Sequence, residues 1–184
     1  MLSHNQPIYI LVLLFTISAM GNALWAQSQD KLNDAEIAHI AVTANKIDVE
    51  TARLAKKKSD HPDVVSFAET MINDHTAVID KAKKLANRLG VKPRKNPTSK
   101  KLMNDARDVR SMLRNKSGTN FNKAYINHEV NYHKAVINTI DDVLIPNTSN
   151  VELKQLLEGA LPALKAHLQQ AENIQEKLSG NASY

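Results

Sequence analysis

Four stretches of the chain carry apolar residues at intervals of three and four, the spacing that lines one face of an α-helix. The first runs from Asn33 or Asp34 to Lys58, with Ile37, Ile40, Ala41, Ala44, Ile47, Thr51 and Leu54 on its inner side. The second, Val64 to Leu89, is the most regular, carrying Val64, Phe67, Ala68, Met71, Ile72, Val78, Ile79, Ala82, Leu85 and Leu89. A third covers about Asn120 to Leu144, with Phe121, Tyr125, Ile126, Val130, Ile137, Ile140 and Leu144 facing in. The last reaches Leu178 through Leu153, Leu156, Leu157, Ala160, Leu164, Leu168, Ala171 and Ile174. No stretch alternates with period two and no segment repeats, so the pattern predicts an all-α protein.

The residues between these stretches mark their ends. Ser59, Asp60, His61 and Pro62 close the first helix, because proline suits the first turn of the next helix and not the interior of the previous one. Asp63 adds negative charge at that new N-terminus. Gly90 is the expected C-terminal cap of the second helix, with Pro93 and Pro97 in the loop beyond. Leu102, Ala106, Val109 and Leu113 predict a short helix across the bundle, ended by Gly118. Ser149 with Glu152 reads as a capping box for the last helix, and Pro162 predicts a bend one turn before His167. Four helices of about 25 residues and one short crossover imply a four-helix bundle whose core spans about residues 34–178.

Composition adds compartment. Ile8 to Met20 is an apolar run with the length of a signal-peptide core, short of the roughly 20 residues that span a bilayer. Cleavage is expected after Ala26, with Ala23 as the alternative, making residues 1–26 a signal peptide and 27–184 one domain. The amino-terminal flank holds no Lys or Arg, and extending the run through Trp25 leaves an uncleaved anchor as the competing reading. The chain has no cysteine, which excludes disulfides, thiolate metal sites and a lipid-modified cysteine. The expected destination is the periplasm or cell envelope of a bacterium.

Against this apolar patterning, a few inward polar residues stand out. His75, His133 and His167 each fall on the buried stripe of a different helix, and Glu50 lies at the edge of the stripe of the remaining one. A buried imidazole must be hydrogen-bonded, neutral or bound to something. In an antiparallel bundle these four side chains can converge, and three imidazoles with a carboxylate suit Zn²⁺, Fe²⁺, Mn²⁺ or Cu²⁺. Asp74 and Glu129 are candidates to orient the rings from outside. The competing reading is a carboxylate–histidine hydrogen-bond cluster with no metal.

Other patterns carry less. His128, Glu129 and His133 resemble a zinc-protease motif, but the histidines are five residues apart and lie about 140° around the helix from one another. Glu36 and His39 have the spacing of a di-iron helix without the second copy such a centre needs. No glycine-rich phosphate loop and no nucleophile context occur, which argues against an enzyme. Between Lys92 and Lys116 nine Lys or Arg face two Asp, an excess of seven positive charges in a chain whose net charge is +5. That segment is either a solvated connection or a surface for anionic envelope partners. It lacks interleaved aromatics, which argues against nucleic acid as a ligand.

Taken in order, Glu50 with Leu54-Ala55, Phe67-Ala68, Met71-Ile72, Asp74-His75, Gly90-Val91 with Pro93, Phe121 with Tyr125 and His133, and Leu161-Pro162 before His167 resemble the bacterial family known as domain of unknown function 4142. The resemblance covers roughly Asp34 to Leu178. It implies an exported, ferritin-like helical bundle and carries no established activity or substrate. The sequence thus sets an envelope metal-binding bundle against a non-catalytic envelope stress or interaction protein with a metal-free polar core.

Overall fold

The computed structural model describes residues 31–180, so the expected signal peptide lies outside the described residues. Six helical segments follow in order: α1 (Asp34–Lys58), α2 (Pro62–Arg88), α3 (Pro97–Arg114), α4 (Gly118–Thr139), α5 (Ile145–Asn147) and α6 (Val151–Ser179). A π-helical turn, Ile140–Leu144, joins α4 to α5. The described residues contain no strand, and none of their helices is long and apolar enough to cross a membrane.

Helix ends follow local chemistry. Asn33 and Glu36 exchange side-chain and backbone hydrogen bonds at the start of α1, a capping box contributing about 1 kcal/mol. Pro62 opens α2, and Gly90 at φ +65° turns the chain so that the Val91 N–H reaches the Ala86 carbonyl at 2.9 Å. Three expectations are corrected here. Asn150, not Ser149, caps α6, its side-chain oxygen accepting from the N–H groups of Glu152 and Leu153. Gly118 begins α4 instead of ending the crossover, which stops at Arg114. The third long helix leaves regular α geometry at Ile140, where the Ile145 N–H reaches back five residues to the Ile140 carbonyl.

Side-chain pairs give the direction of each helix. Along α1 and α2, Lys56 meets Glu69 while Asp48 meets His75. Between α2 and α6, Asp63 pairs with Lys177 and Asp74 with His167. Between α4 and α6, Asn127 meets Gln175 and Lys134 meets Glu172. Across α1 and α4, the Tyr132 hydroxyl donates to the Ala44 carbonyl and Ser59 to Asn122. In every pair one residue number rises as the other falls, so all four neighbouring pairs are antiparallel. Helices α2 and α4 are consequently parallel on a diagonal, and only a long connection can join them. That connection is α3, which packs chiefly on α1; one long crossover is the connectivity of ferritin-like bundles.

The core is layered. One apolar cluster gathers Ala52, Phe67, Met71, Phe121, Tyr125 and Ile174. A second gathers Ile37, Ile40, Ile137, Leu144, Leu157 and Leu164. On α1 the order from one cluster to the other passes Asp48, on α2 His75, on α4 His133 and on α6 His167. Each long helix therefore contributes a buried polar residue at the same depth.

Candidate metal centre

The three histidines come together as their helical positions predict. Ring centroids are separated by 5.8 Å for His75 and His133, 5.3 Å for His75 and His167, and 5.6 Å for His133 and His167. Each offers one ligand-capable atom to a group whose members all lie within 4.8 Å of one another, and all three residues are buried. Asp48, Glu129 and His133 form a second such group, so His133 belongs to both.

Each ring is fixed by an acceptor on its outer side. His75 Nδ1 lies 2.7 Å from Asn45 Oδ1, His133 Nδ1 3.0 Å from the Glu129 carbonyl, and His167 Nε2 2.9 Å from Asp74 Oδ2. Because these partners only accept, the ring nitrogen facing each one carries the proton. The opposite nitrogen is then an unprotonated lone pair. Those opposite atoms, His75 Nε2, His133 Nε2 and His167 Nδ1, are buried and have no hydrogen-bond partner. Asp48 Oδ2 lies 3.2 Å from His75 Nε2 and 3.8 Å from His133 Nε2. Neither contact is a hydrogen bond, so both Asp48 oxygens are also unpartnered.

Burial sets the charge state. It drives His75 down to about 3, with further lowering from His133 and His167, and His133 down to about 4. It pushes Asp48 up to about 8 and Glu129 well above the usual carboxylate range, the latter helped by the nearby Asp48 carboxyl. Metal-free, His75 and His133 are held neutral and Asp48 and Glu129 protonated, because an uncompensated charge costs more than the proton change that removes it.

Glu50 does not join the histidines. Its side chain is 54% exposed and pairs with Arg110 at 3.2 Å, which corrects its expected place as the α1 ligand. The reason is angular: Asp48 sits four residues after Ala44 and three before Thr51, on the stripe, whereas Glu50 is two residues further and about 200° around the helix. An acidic residue in an otherwise apolar stripe was the available signal for Asp48. Asp74 and Glu129 do hold rings from outside, Asp74 through its carboxylate and Glu129 chiefly through its backbone carbonyl. The Glu36 carboxylate is occupied by Asn33 at the α1 cap and by Arg94, and it joins no candidate metal group among the described residues.

No curated protein matches the chain significantly. Among solved structures, CopM in its Cu(II)-bound form is similar in fold, with a TM-score of 0.61 and 16% sequence identity over 79% of this chain and 98% of that one. Residues 20–174 match the model of the family described as Domain of unknown function (DUF4142), and the chain belongs to that family.

Proposed function

We propose that the protein is an exported metal-binding bundle that holds one divalent transition-metal ion through His75, His133, His167 and Asp48. The observation that carries this reading is the polarity of the cluster: every ring is hydrogen-bonded on its outer nitrogen and open on its inner one. Outer acceptors that select the tautomer and aim the lone pair are characteristic of metal-bound histidines. Glu129 supplies a further carboxylate beside His133. Three imidazoles and a carboxylate, with no sulfur, are donors suited to copper, zinc, iron or manganese. Copper is the first to assay, since it stands highest in the divalent affinity order and the similar structure is in a Cu(II)-bound form. A bound ion supplies a Lewis-acidic centre, redox-active when it is copper or iron. The chain's own contribution is to hold the donors in place and exclude water.

Elemental analysis of untagged protein after reconstitution tests the reading. One ion per chain is expected, falling below a tenth in His133→Ala under the same conditions. Less than stoichiometric uptake of every metal by the folded wild-type protein refutes it. The polar layer would then be structural, and the basic Lys92–Lys116 segment would become the feature to probe with anionic partners.

A further inference from the structure

The two apolar halves of the bundle are built differently. All the buried aromatic side chains among the described residues, Phe67, Phe121 and Tyr125, lie on one side of the histidine layer. On the other side aliphatic and alanine side chains leave a cavity of about 270 Å³. Its floor is the metal centre itself, His75, His133, His167 and Asp48, and its walls include Ile40, Ala82, Ala106, Leu157, Ala160 and Leu164. Two departures from regular helix border it. The wider π turn delivers Ile140 and Leu144 to one wall. On α6, Pro162 interrupts the hydrogen-bond ladder between lining residues Ala160 and Ala163. Among its lining residues Asp74 on α2, Asp105 on α3, Ala135 on α4 and Ala163 on α6 are exposed, so the cavity reaches the surface.

We propose that this chamber receives a small amphiphile, an aliphatic chain of medium length bearing one anionic head that coordinates the bound ion. The inference rests on the metal reading and adds a ligand class to the same site. Size, polarity and charge each point to that class. At the roughly 30 Å³ that a water-sized group occupies, the cavity has room for about nine non-hydrogen atoms. Its walls are mostly hydrocarbon, with Asn45, Asp105, His128, Tyr132 and Thr139 among the polar exceptions, while its floor presents the inward ring nitrogens. A dication held by three neutral imidazoles and one carboxylate keeps one positive charge, which a monoanionic head neutralises.

Co(II)-loaded protein titrated with octanoate and with acetate tests the proposal, read by the visible spectrum of the metal. Octanoate is expected to change the spectrum and to bind at least about a hundredfold tighter than acetate, since each methylene buried tightens binding about fourfold. Ala160→Phe and, separately, Ala82→Leu should each cut that advantage at least about tenfold while leaving one metal per chain. Equal affinity for the two acids, an unchanged spectrum, or an advantage that survives both fillings in metal-loaded protein overturns the chamber and leaves the metal centre standing. Failure to take up Co(II) or any other metal overturns both.

Discussion

Asp48→Asn isolates the cost of keeping a carboxyl in the middle of the bundle. In the folded, metal-free protein burial raises that carboxyl from 3.8 to about 8, whereas in the unfolded chain it titrates near the ordinary value of about 3.9. Between those limits the native state keeps a proton that the unfolded state gives up, so rising pH favours unfolding. The contribution of Asp48 is fully present below about pH 4 and is lost as pH rises through about 8. One retained proton is about 1.4 kcal/mol per pH unit, so from pH 6.5 to 8 this group alone removes roughly 2 kcal/mol. His75 and His133 do not obscure that window. His75 and His133 are lowered to about 3 and about 4, so their contribution is present above about 6.5 and is lost as pH falls. Urea unfolding of chelator-treated protein at pH 6.5 and 8 measures the effect. Wild type should lose about 2 kcal/mol more than Asp48→Asn over that interval, with Glu129 contributing to both. Parallel slopes for the two proteins would refute the reasoning, because Asp48 would then be ionised in the folded state.

Metal binding should reverse this pH dependence, because the carboxyl must release its proton to become a ligand. Calorimetric titrations at pH 7 in buffers of different ionisation enthalpy should report about one proton released per ion, and affinity should fall as pH is lowered. Glu50→Gln should leave metal affinity within about twofold, since Glu50 reaches only Arg110 at the surface. Asp74→Asn should weaken it about 10- to 100-fold by loosening His167; competition against a chromogenic chelator reads both. Phe67→Ala removes a fully buried ring from the solid half of the core. It should cost about 3–5 kcal/mol in urea unfolding with the metal stoichiometry intact.

The helices were legible because their apolar period is long and uninterrupted, and His75, His133 and His167 because an imidazole in such a stripe stands out. Asp48 was harder to see, since an aspartate in an α1 that also carries exposed Lys46 and Glu50 looks like one more surface charge. Only its register against Ala44 and Thr51 separates it from Glu50. The π turn leaves no mark, because Ile137, Ile140 and Leu144 keep ordinary helical spacing through it. Nor does the cavity, which depends on the alanines of α1, α2, α3 and α6 meeting across the bundle, a long-range fact with no local periodicity. The cap of α6 is ambiguous to within one residue in the sequence because Ser149 and Asn150 are both good capping residues, and the chain geometry selects Asn150.

A polar layer at this depth needs a reason. Apolar side chains of similar volume in place of three imidazoles and two carboxyls would spare the desolvation that shifts His75, His133, Asp48 and Glu129 from their ordinary titration. A cluster retained for packing specificity would satisfy its members with one another, since an unpaired buried polar atom costs about 1–3 kcal/mol. Here the satisfaction is one-sided. Asn45, the Glu129 carbonyl and Asp74 occupy the outward nitrogens, while three inward nitrogens and both Asp48 oxygens face a shared interior without partners. A protonated Asp48 can offer one donor, to His75 Nε2 at 3.2 Å, but the rings cannot serve one another, because all three inward atoms are acceptors. A cation relieves that arrangement, and it satisfies several of the unpartnered atoms at once.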